Sequence, residues 1–106
     1  MYRLIVSYIA YFLQVINVTL QMEVGNMDTI TAVKNRIFKL CYDRNISINR
    51  LATICALPPS SVKNILYGKS QNPKLLTIKM ICDGLDMTLA EFFDTDEFNN
   101  LEQEIK

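Results

Sequence analysis

Ser60, Ser61, Lys63, Asn64 and Tyr67 fall within one eight-residue stretch, and each carries a side chain able to hydrogen-bond. Serine donates or accepts, asparagine can hold an adenine edge through two bonds at once, and lysine neutralises phosphate. Acid–base and nucleophilic chemistry have no comparable footing. The chain has no histidine, and Cys41, Cys55 and Cys82 are widely spaced among apolar residues. Its carboxylates gather in acidic stretches, so no nucleophile–base pair can be assembled and no enzyme is expected. The cysteines lack a CxxC spacing and a fourth ligand for zinc, and read as small buried hydrophobes. No metal or cofactor is expected.

The formal net charge is zero, yet the charges are segregated. Lys34, Arg36, Lys39, Arg44, Arg50, Lys63, Lys69, Lys74 and Lys79 face the single acid Asp43, nine cations against one, a net +8 between Lys34 and Lys79. From Asp83 onward eight carboxylates are opposed by Lys106 alone, a net −7. The basic stretch suits an anionic partner, while two ordinary solvated faces is the competing reading.

The elements that must position the polar set are helical throughout. Residues 29–44 place Ile30, Val33, Ile37, Leu40 and Cys41 on one apolar face, with Asn45 as the stop. Ser47 is suited to cap a short second helix through Cys55, buried by Ile48, Leu51, Ala52 and Cys55. Pro59 fits the first position of a third helix running to Tyr67, with Val62, Ile65 and Leu66 inward and Gly68 as the residue past its end. After the polar turn 69–74, residues 75–84 form a fourth helix with Leu75, Leu76, Ile78, Met80, Ile81 and Cys82. Thr88 and Glu91 make a capping box for a fifth that buries Leu89, Phe92 and Phe93. A last amphipathic segment carries Phe98, Leu101 and Ile105. The spacing of Leu51, Ala52, Leu57, Val62 and Ile65 predicts that the second and third helices cross steeply, leaving one face of the third exposed.

The run from Ile46 to Lys74, with Leu51-Ala52, a small residue at 56, Val62, Gly68-Lys69 and Pro73, resembles the core of the Cro/repressor (XRE-type) helix-turn-helix family. Leu76 to Phe93 resembles the last two helices of that family, and the likeness spans roughly residues 29–95. It implies an all-α, five-helix, lambda-repressor-like domain that binds a double-stranded DNA operator as a homodimer and regulates transcription, most simply as a repressor. It further implies that residues 59–67 form the recognition helix. Pro59, Ser60, Ser61, Lys63 and Asn64 then match base-contacting positions; Ser47, Asn49, Tyr67, Lys69, Ser70, Gln71, Asn72 and Lys74 match phosphate-contacting ones. Two residues depart from the pattern. Ala56 stands where a left-handed glycine is common, and Pro59 offers only apolar contact. A protein-interaction module of the same fold, antitoxin-like or phage-encoded, is the alternative function.

The chain thus divides into an apolar segment 1–26, a DNA-binding domain 27–95 and an acidic amphipathic segment 96–106, the last a candidate for self-association through Phe98, Leu101 and Ile105. Leu4 to Gln21 carries no charge. It is open to four readings: upstream sequence ahead of a start at Met22 or Met27, a membrane anchor, a dimerisation element, or a strand. A cytoplasmic, nucleoid-associated location is expected, with membrane attachment possible only through residues 1–24.

Overall fold

A computed structural model describes residues 27–68 and 70–105. The described residues are all-helical: α1 Thr29–Asp43, α2 Ile48–Ile54, α3 Pro59–Leu66, α4 Leu75–Gly84, α5 Leu89–Phe93 and α6 Asp96–Asn99. Five helices followed by a short acidic sixth match the expected architecture. The four readings of Leu4–Gln21 lie outside the described residues.

Most helix starts are fixed by side-chain caps. Asp28 accepts from the Thr31 amide at 3.0 Å, and Ser47 accepts from that of Arg50 at 3.0 Å. At α5 the capping box is complete: Thr88 Oγ1 accepts from the Glu91 amide while Glu91 Oε1 accepts from the Thr88 amide. Each arrangement satisfies amides that a helix N-terminus leaves without partners. α3 instead begins with Pro59, preceded by Pro58, and has no side-chain cap. The missing N–H of Pro59 removes one orphan donor there.

Helix ends repeat a single device. After α1, α2 and α4 the chain turns left-handed at Asn45 (φ 54°), Ala56 (φ 56°) and Asp86 (φ 55°). In each case the next amide reaches back to the helix: Ile46 to the Cys41 carbonyl, Leu57 to Ala52, Met87 to Cys82, all at 2.9–3.0 Å. This is the Schellman closure, and the three residues that follow the left-handed turn, Ile46, Leu57 and Met87, pack onto the core as that motif requires. Gly68 follows α3 as expected, without the positive φ that the other helix ends show. Its amide continues the helical pattern to the Asn64 carbonyl, and a Cβ there would lie 2.7 Å from that oxygen. Close approach, not handedness, is what requires glycine at 68.

The core draws one residue set from every long helix. Ile37 of α1, Leu51 of α2, Val62 of α3, Ile81 and Cys82 of α4 and Phe92 of α5 are fully buried. Each large aliphatic or aromatic side chain so placed contributes about 1.5–3 kcal/mol. All three cysteines are free and buried within it. Gly84, in the last turn of α4, lets that helix close on α2, since a Cβ would sit 2.9 Å from Cys55 Cα.

Several expectations need correction. Ile30 is only half-buried, and Leu75 and Leu76 lie exposed at the start of α4 instead of entering the core. The last segment is helical only over Asp96–Asn99. Phe98 turns inward, its ring 4.9 Å from that of Phe93 and 6.1 Å from that of Phe92. Phe98 thus packs partly against its own chain, while Ile105 stays exposed. Beyond it, the Glu102 amide donates to the Met27 carbonyl at 3.0 Å, tying the tail to the entrance of α1.

Candidate nucleic-acid interface

α2, the turn through Ala56 and Pro58, and α3 form the helix-turn-helix unit. Leu51, Ala52, Val62, Ile65 and Leu66 are buried along the seam between the two helices, with Leu57 packed against it. That packing commits one side of α3 inward and leaves the opposite side to solvent. Ser60, Lys63, Asn64 and Tyr67 are all exposed, at the i, i+3, i+4, i+7 spacing that makes a single stripe along a helix and its cap. Pro59 is also exposed and Ser61 is half-buried at the stripe's edge. Residues 59–67 contain no acidic side chain.

Tyr67 is 66% exposed, and its ring meets Phe38 edge-on with centroids 5.8 Å apart. The ring is thus braced by α1 while most of the residue stays exposed. Ser47 and Asn49 are exposed at the start of α2. The Ser47 hydroxyl oxygen is engaged as the cap, and the Asn49 carbonyl accepts from Thr53 Oγ1 at 3.0 Å, which leaves the Asn49 side chain directed by neither. Past α3, Gln71, Asn72 and Lys74 are exposed and Ser70 is half-buried; Lys69 lies outside the described residues. Arg50 is exposed in the first turn of α2 and adds a cation beside Ser47 and Asn49 that the expected site residues did not include.

The basic stretch does not form one surface. Arg36 donates from Nε to the Phe92 carbonyl at 2.8 Å and from Nη2 to the Glu91 carbonyl at 3.0 Å. It caps the C-terminal end of α5, where a cation is favoured, and its guanidinium lies over the Phe92 ring. Lys79 is bonded to Asp83, which raises its pKa. Lys39 acts electrostatically on Glu97. These three cations serve the domain itself, and the net +8 read along the sequence overstates what α3 and its surroundings present.

The buried thiols are held in their neutral form. Desolvation raises all three, most clearly Cys55, pushed up to about 11 with Cys41 and Cys82 adding to the effect. Among the described residues no group of three or more histidine, cysteine, aspartate or glutamate side chains is arranged to hold a metal ion. Among them, too, no helix is long and apolar enough to cross a membrane.

A short helix packed across its predecessor, with a polar stripe outward and Pro59 and Ser60 exposed at its start, defines a helix-turn-helix domain of the DNA-binding class. The model of the Cro/C1-type HTH DNA-binding domain family matches residues 36–97, more than half of the chain, and the chain belongs to that family. No curated protein matches it. Among solved structures, the prophage Lp1 protein 11 is similar at 32% identity with a TM-score of 0.62, covering 71% of this chain and the whole of that one.

Proposed function

We propose that this protein is a sequence-specific double-stranded DNA-binding transcriptional regulator, acting as a repressor, which sets residues 59–67 in the major groove. The observation that carries the reading is the exposed stripe Ser60, Lys63, Asn64 and Tyr67 opposite the buried Val62, Ile65 and Leu66. Asn64 and Lys63 are the strongest base readers by chemistry, toward adenine and guanine respectively; Ser60 and Ser61 bond either edge, and Pro59 supplies apolar contact to a thymine methyl group. Ser47, Asn49, Tyr67, Lys69, Ser70, Gln71, Asn72 and Lys74 grip the sugar–phosphate strand on both sides and set register. Residues 27–95 constitute the binding domain. The repressor direction rests on the family's character.

One eight-residue helix reads only a few base pairs. A homodimer on a pseudo-palindromic site, with half-sites about 34 Å apart, supplies the remaining specificity. The protein then works where the chromosome is, in the cytoplasm.

Selection of bound duplexes from a random DNA pool, followed by a salt titration on the selected sequence, tests this. The expected result is an enriched site with two-fold symmetry and an affinity falling steeply as salt rises, because phosphate contacts release counterions. No enriched site, with an affinity that ignores salt, would overturn the proposal and favour a protein partner for the same fold.

A further inference from the structure

The start of α1 and the start of α4 flank a groove of about 510 Å³. Val33 and Ile78 are buried beneath it, and Ile30, Pro73 and Phe93 are half-buried along it. Leu75 also lines it, yet is 65% exposed. Ile105, the residue after the lining Glu104, is 91% exposed. A leucine standing outward beside an apolar groove marks an interaction surface.

The charges around the groove say what covers it. On the α1 flank the Asp28 carboxylate accepts from the Thr31 amide at 3.0 Å, and Glu104 Oε1 accepts from the Thr29 amide at 3.4 Å, so two acids are fixed there. On the α4 flank Lys74 is exposed between Pro73 and Leu75. The surface is thus acidic on one side, apolar in the middle and basic on the other. A two-fold axis brings such a surface onto itself with every sign matched: the lysine of each copy meets the acids of the other, and the leucine of each enters the other's groove. A foreign apolar partner needs both signs in the same order; a second copy has them already.

We propose that two copies of the chain join through this face, with Leu75 of each in the groove of the other and Lys74 of each opposite Asp28 and Glu104. The inference rests on the dimeric reading above and gives it a surface. The polar turn assigned there to the sugar–phosphate strand ends at Lys74, so the two-fold axis lies beside that turn, where one duplex can meet both copies.

Sedimentation equilibrium of the full chain without DNA tests this. The wild type is expected to form a dimer with a measurable dissociation constant. Leu75→Lys alters both copies and should weaken the dimer by about a hundredfold, about tenfold for each leucine withdrawn from apolar surface. Its helical circular dichroism should match that of the wild type, since residue 75 is exposed. Lys74→Glu and Glu104→Lys should each weaken association, and the chain carrying both should recover most of it. That recovery cannot come from a loss of folding, and it decides the matter alone if Leu75→Lys unfolds. A monomeric wild type would overturn the proposal, as would a dimer indifferent to these substitutions or a double variant no tighter than the single ones. A dimer that obeys them yet selects no DNA sequence would sustain this face and overturn only the DNA-binding reading.

Discussion

Ala56 is the one residue of the helix-turn-helix unit held against its own conformational preference. It sits at φ 56° and makes the hinge between α2 and α3, with its amide 3.2 Å from the Thr53 carbonyl and the next amide 2.9 Å from that of Ala52. A left-handed L-residue costs about 1–2 kcal/mol because Cβ crowds the following carbonyl. Glycine escapes that cost, but its freer unfolded chain takes back about 0.4–1 kcal/mol. Ala56 is exposed, so removing its methyl group loses no packing. Ala56→Gly should therefore stabilise the protein by about 1 kcal/mol, a rise of about 4–8 °C in Tm for a domain of this size. Urea unfolding should show a higher midpoint with an unchanged slope. Asn45→Gly and Asp86→Gly are internal controls. Their φ values match within two degrees, but asparagine and aspartate tolerate this region better, so both should gain less than Ala56→Gly. Destabilisation by Ala56→Gly, or equal gains at all three turns, would refute the reasoning.

Other consequences follow from the packing. Gly84→Ala should destabilise by about 1–3 kcal/mol by overpacking, since the added methyl lands 2.5 Å from Cys55 Sγ and 2.9 Å from Cys55 Cα, the latter unable to give way; thermal unfolding reads this directly. The three thiols should resist a thiol-specific chromophore in the native state at pH 8 and all react in denaturant, because each is buried and held protonated. Glu97 is raised above its ordinary value of 4.5 by burial, with Lys39 and Arg36 pulling the other way. A carboxyl raised on folding binds its proton more tightly in the native state, so its contribution to stability falls as pH climbs from 4.5 through the raised pKa. Urea unfolding of the wild type and of Glu97→Gln across that range should show the wild type losing ground to the variant as pH rises, and parallel curves would contradict the assignment.

Where the sequence was legible, a local rule decided the outcome. Ser47 and Thr88 cap helices because a side-chain oxygen three residues upstream of an amide has one obvious use, and Pro59 starts α3 for an equally local reason. The buried face of α3 followed from the spacing of Val62, Ile65 and Leu66. Where it misled, the deciding contact was distant. Arg36 counted as one more cation until its guanidinium was found on carbonyls 55 and 56 residues away. Leu75 and Leu76 are as apolar as Ile78 and Ile81, yet in the first turn of α4 they stand outward while the latter two enter the core. Gly68 followed the usual rule for helix ends in sequence, but a close approach to Asn64 is what requires it. Phe98 belonged to an amphipathic pattern that two aromatic rings of α5 capture.

The central claim is that the outward stripe of α3 reads base pairs, and Asn64 tests it most directly. Affinity for the selected duplex and for single-base variants of it would be measured with wild type, Asn64→Ala and Lys63→Ala, each checked for an unchanged thermal midpoint. The account predicts a loss of about 1–3 kcal/mol for Asn64→Ala, with discrimination relaxed at one base position and retained at the others. Unaltered affinity and unaltered discrimination in both variants would mean that this helix does not meet the bases.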